Sequence, residues 1–79
     1  MGAREQLAAV VSRLVDRPEQ VVVREHERDG TVELLIETAP EDRGKVIGRH
    51  GRTIKALRTL LAVRDARLGE RHVLDTGDD

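Results

Sequence analysis

The sequence predicts a small α+β domain with the element order αββααβ, a small three-stranded sheet packed by helices. Three observations carry this expectation. Apolar residues at helical spacing open the chain and return on both sides of residues 48–51. Two β-type runs bracket the pair Asp29-Gly30. Two glycines three positions apart, Gly48 and Gly51, interrupt the helical pattern of the second half and mark a tight turn. At 79 residues the chain has room for one domain, expected over residues 1–75, with a disordered tail at 76–79.

Taken in order, Leu7, Val10, Val11, Leu14 and Val15 fall at i, i+3, i+4, i+7 and i+8, which predicts an amphipathic helix over residues 3–16 that Pro18 ends. Val21-Val22-Val23 and the run Thr31 to Thr38 read as two antiparallel strands joined at Asp29-Gly30. On the second strand Val32, Leu34 and Ile36 share one face, and Glu33, Leu35 and Glu37 the other. Pro40 followed by Glu41 and Asp42 reads as a helix start, with acids at the positive end of the dipole, and this short helix should run into Gly48. After Gly51 the pattern Ile54, Leu57, Leu61 predicts a helix ending near Val63 or Arg64. Gly69 breaks the chain, and residues 71–75 form a short edge strand.

Composition narrows the function. There is no aromatic residue, so the core must be built from Val, Leu, Ile and Ala, and self-association or a partner would offset the shortage of buried area. The absence of cysteine excludes disulfides and thiolate zinc sites and suits a reducing, cytoplasmic setting. No apolar run approaches a membrane span, and no signal segment is expected. The formal net charge of −1 conceals a strong asymmetry, because residues 43–64 hold seven of the 14 basic residues and none of the 15 acids. A local field of that kind attracts polyanions whatever the mean charge.

The glycine turn gives the field a geometry. A turn without Cβ atoms, followed by a helix whose first N–H groups are free, can seat a phosphate. Arg49 and His50 lie within the turn, Lys45 before it, and Arg52, Lys55 and Arg58 follow at i, i+3 and i+6. That stripe could equally be the solvated face of an amphipathic helix, and His50 could simply be a polar loop residue.

Val46-Ile47-Gly48-Arg49-His50-Gly51-Arg52-Thr53-Ile54-Lys55-Ala56-Leu57 resembles the V-I-G-x-x-G-x-x-I-x-x-L core of KH domains. The wider run from Ala39-Pro40 to Leu60 is similar to the small bacterial single-KH proteins of the KhpA family. The element order is that of type II KH domains. The resemblance implies single-stranded RNA held over the turn, with phosphates at Arg49, His50 and the backbone of Gly48 and Gly51. It also implies bases in an apolar groove, for which Val46, Ile47, Ile54 and Leu34 or Ile36 are candidates. It further implies an RNA chaperone or post-transcriptional regulator linked to cell-envelope growth and cell shape, acting as a homodimer or with a larger KH-containing partner of the KhpB (Jag) type. The rival reading is a protein-interaction subunit that dimerises through its KH fold and touches nucleic acid incidentally.

Catalytic chemistry finds no constellation. Glu41-Asp42 is explained as a dipole complement, Ser12 has no histidine near it in sequence, and Gly44-Lys45-Val46 lacks the Ser or Thr of a phosphate-binding P-loop. His26 and His72 stand at no metal-ligand spacing, and each is expected at the surface or a sheet edge. We expect no enzyme activity, cofactor, metal or small-molecule substrate.

Overall fold

The computed structural model describes residues 1–76; the remainder of the expected tail lies outside the described residues. The order is α1 (Ala3–Ser12), β1 (Val22–Arg28), β2 (Thr31–Glu37), α2 (Arg43–Ile47), α3 (Arg52–Leu68) and β3 (His72–Asp75), with single 3-10 turns at Pro18–Gln20, Pro40–Asp42 and Arg49–Gly51. This is the predicted αββααβ arrangement. The sheet order is β1-β2-β3, with β1 antiparallel and β3 parallel to the central β2.

Helix α1 stops one turn short of expectation. Arg13 and Leu14 close i→i−3 bonds to Val10 and Val11, and the N–H groups of Asp16 and Arg17 then donate to the two carboxylate oxygens of Asp42, at 3.2 and 3.0 Å. Pro18 also disfavours helical backbone at Arg17. Within the predicted apolar stripe, Leu7 and Val11 are buried while Val10 and Leu14 remain exposed.

Strand β1 runs five residues past the predicted Val23, through Arg24 to Arg28, in register from Val22↔Glu37 to Arg28↔Thr31. Pairing with β2, not apolar alternation, determines its length. Asp29 (φ 52°) and Gly30 (φ 79°) make the two-residue turn that matches strand twist. Leu34 and Ile36 are almost wholly buried on the inner face of β2, and Val32 is half-buried.

The helix expected at Pro40 begins as a 3-10 turn with Glu41 and Asp42 in it, and Asp42 has a further role that its position in sequence does not announce. Its carboxylate, with no exposed surface, accepts from the loop that follows α1. Helix α3 continues one turn beyond the predicted end because Asp65 to Leu68 keep helical spacing until Gly69, at φ 69°, ends it with a Glu70 N–H bond to the Asp65 carbonyl. Ile54, Leu57 and Leu61 of α3 and Leu7 and Val11 of α1 cover one face of the sheet, meeting Val23, Leu34, Ile36, Val46 and Leu74 in a single aliphatic core.

Candidate nucleic-acid interface

The turn between α2 and α3 is built by three consecutive constraints. Gly48 N–H closes α2 on the Gly44 carbonyl at 2.8 Å, and the chain then turns out at φ 79°, ψ 165°, a region open only to glycine. A Cβ on Gly48 would lie 2.3 Å from Thr53 Oγ1 and 2.7 Å from the Thr53 nitrogen, so α3 itself forbids a side chain there. His50 (φ 57°) and Gly51 (φ 71°) are both left-handed, and Gly51 N–H returns to the Gly48 carbonyl at 3.0 Å. A Cβ on Gly51 would meet only Ile54 Cγ2, at 4.0 Å, so that position demands glycine through its backbone angle alone. Helix α3 starts with no side-chain cap and no acid in its first turn; its Arg52 N–H is bonded to the Arg49 carbonyl, and the positive end of its dipole lies at the turn.

The predicted basic residues divide into two sets. Arg49, His50, Arg52 and Lys55 are exposed, and among the described residues their side chains have no hydrogen-bond or ion-pair partner. They stand together at the turn and the start of α3. The others are held within the fold. Lys45 Nζ lies 3.2 Å from Asp16 and 3.8 Å from Asp42, and the bond to Asp16 holds its ammonium above the usual lysine range. These carboxylates tie α2 to the loop after α1, and the Lys45 side chain remains half exposed. Arg58 Nε donates to the Leu74 carbonyl at 3.3 Å. Arg64 bridges Gln6 and Glu70, each at 2.7 Å, joining α1 to the end of α3.

The predicted apolar groove is mostly filled. Leu34, Ile36 and Val46 are 0, 2 and 2 % exposed and Ile54 is 7 %, so they belong to the core and offer a ligand almost no surface. Ile47, at the end of α2, is the half-buried member of the set. A separate pocket of about 300 Å³ lies between Arg43, Val46 and the ends of β2 and β3, and it includes Thr38 and Thr76.

Two pairings across the fold escaped the sequence reading. Asp42 sits 25 and 26 residues from the N–H groups it binds. His72, expected at the surface or a sheet edge, lies on the edge strand β3 with its side chain nearly buried, Nδ1 2.8 Å from Asp65 Oδ1, and its backbone N–H donates to Asp65 Oδ2 at 2.9 Å. Asp65, Glu70 and His72 present ligand-type atoms within 4.8 Å of one another. The Arg64 guanidinium already occupies two of them, 3.3 Å from Asp65 and 2.7 Å from Glu70, so the group forms a hydrogen-bonded staple between α3 and β3.

Comparison with known proteins agrees with this geometry. A model described as the KhpA/KhpB KH domain matches residues 4–75. RNA-binding protein KhpA of Treponema pallidum is 44 % identical over 75 residues, 94 % of each chain. The protein of that name from Chlamydia pneumoniae is 48 % identical over 58 residues, 73 % of this chain and 74 % of that one. Its namesake in Clostridium acetobutylicum is 36 % identical over 72 residues, covering 91 % and 96 %. With the family match spanning all three helices and all three strands, and the glycine turn formed where that family's motif falls, this chain belongs to the KhpA/KhpB family of KH domains.

Proposed function

We propose that this chain is a non-enzymatic KH module that binds single-stranded RNA over the Gly48–Gly51 turn. The observation that carries the reading is the cluster of Arg49, His50, Arg52 and Lys55, without protein partners among the described residues, around an uncapped helix start. Phosphates sit on the turn at the positive end of the α3 dipole, and Ile47 supplies the apolar contact to a base. The relatives named RNA-binding protein KhpA support the choice of RNA.

The wider role follows the family. The module acts in the cytoplasm as an RNA chaperone or post-transcriptional regulator tied to cell-envelope growth and cell shape, paired with a second copy or with a larger KH-containing protein of the KhpB type. An exposed aliphatic surface supports the pairing. Val10 on α1, Leu14 just past its end, and Leu60 and Val63 on α3 are 39–61 % exposed. A shallow depression of about 270 Å³ lies between the two helices, lined by residues that include Leu7, Val10 and Leu60. The same surface favours the rival reading of an interaction subunit with incidental RNA contact.

Strandedness separates the two readings. At near-physiological salt, where non-specific attraction is screened, the RNA-binding reading predicts tighter binding to an unstructured oligonucleotide than to a hairpin stem of matched length. Ile47→Ser should weaken the first more than the second. Equal affinities, both insensitive to Ile47→Ser in a folded variant, favour the interaction subunit. The buried Ile54 is unsuited to this test, because a polar residue there disturbs the core.

A further inference from the structure

Helices cover one face of the sheet, and the other face is open: Arg24, His26 and Arg28 of β1 are exposed on it, and Glu33 and Leu35 of β2 are half-buried. Strand pairing sets these side chains in rows. Arg28 lies opposite Thr31, and Val32 pairs with His72 while its N–H donates to the Arg71 carbonyl, so Arg71 flanks Thr31 on the far side. The His72 side chain turns inward to Asp65, which directs that of Arg71 to the open face. Two exposed guanidinium groups therefore bracket the Thr31 hydroxyl in one row, and among the described residues these three side chains have no hydrogen-bond or ion-pair partner.

The next two rows hold a depression of about 480 Å³ whose lining includes His26, Glu33, Leu35, Val73 and Asp75. That volume suits a small ligand. Leu35 and Val73 give it an apolar floor, and the ionised carboxylates of Glu33 and Asp75 offer acceptors only. Glu33 has no partner among the described residues, and Asp75 accepts one N–H, from Thr76 at 2.7 Å. Successive rows on one face lie about 6.6 Å apart along the strands, so a phosphate between the arginines and a nucleoside in the depression match the parts of one nucleotide. The two acids oppose any longer run of phosphates across this face.

We propose that the open face of the sheet is a mononucleotide site, in which Arg28, Arg71 and Thr31 hold the phosphate monoester and the depression takes the nucleoside. Glu33 and Asp75 accept from its hydroxyl and amino groups. The site is separate from the turn, because Arg71 stands beyond the far end of α3, a helix of 17 residues at about 1.5 Å each. A free nucleotide and the phosphorylated 5′ end of an RNA share this chemistry.

The test is a titration of the whole chain with adenosine 5′-monophosphate, adenosine and inorganic phosphate, followed by amide NMR. The monophosphate should give saturable shifts at Thr31, Glu33, Leu35 and Val73, with about tenfold or more higher affinity than either part, the factor that one charged hydrogen bond supplies. Arg28→Gln combined with Arg71→Gln should weaken the monophosphate by about tenfold or more and leave adenosine, the melting temperature and the binding of a 5′-hydroxyl oligonucleotide unchanged. Absence of shifts up to about 10 mM monophosphate, shifts confined to residues 48–55, or a double variant that binds it as the wild type does would overturn the proposal. The source is read from 5′-phosphorylated and 5′-hydroxyl oligonucleotides. A gain from the 5′-phosphate that the double variant loses assigns the site to RNA ends, and monophosphate binding without that gain assigns it to free nucleotide. A chain that binds the monophosphate here but neither oligonucleotide would leave this site standing and remove the RNA-binding reading of the turn.

Discussion

Gly48 fixes the turn more firmly than Gly51 does, because a side chain at Gly48 meets Thr53 as well as an inaccessible backbone region. Gly51→Ala should cost about 1–2 kcal/mol, the ordinary penalty of a left-handed alanine. Gly48→Ala should cost more, since steric overlap is added to strain. Urea denaturation of the two variants checks the order. Asp42 carries a second residue-scale prediction. Burial opposes its ionisation, but the N–H groups of Asp16 and Arg17, with Lys45 nearby, outweigh that and hold its carboxyl below the usual range. A depressed folded-state pKa means that this stabilisation is present above the unfolded value, about 3.9, and is lost as pH falls through the lower folded value. The wild type should therefore lose stability on acidification faster than Asp42→Asn does below about pH 4. Parallel curves of melting temperature against pH for the two proteins would contradict it.

At the scale of elements, β2 is the load on which the others pack, since it pairs on both sides and buries Leu34 and Ile36. Leu34→Ala should cost about 2–5 kcal/mol, and Leu35→Ala on the open face clearly less, by denaturant unfolding. The sequence made this strand legible through the alternation of Val32, Leu34 and Ile36, and made the glycine turn legible because its backbone angles leave few residues to choose from. It hid most of β1, whose charged residues are held by pairing with β2 and carry no apolar period of their own. It also hid the early end of α1, because the cause is Asp42, far along the chain. Of the candidate site, the exposed cations and glycines could be named from sequence alone. Which cations are already paired could not, since Lys45 and Arg58 find their partners on elements that only folding brings near.

At the scale of the molecule, charge and apolar surface are separated. Arg49, His50, Arg52 and Lys55 gather at the turn, whereas Leu60 lies farther along α3 and shares a depression with Val10 of α1, with exposed Val63 beyond it on the helix. If the aliphatic surface is where this chain pairs, Leu60→Asp should lower the mass measured by light scattering to that of a monomer without lowering the melting temperature of the monomer. A wild type already monomeric at high concentration would contradict homodimerisation. The central claim is that the turn binds RNA phosphate, and its most direct measurement is the salt dependence of single-stranded RNA affinity for the wild type and for Arg49→Asp combined with His50→Asp. The account predicts a steep fall of wild-type affinity with salt, at about 0.7 in log–log slope per phosphate neutralised. It also predicts that the folded double variant loses nearly all binding. A double variant with unchanged melting temperature, affinity and slope would contradict it.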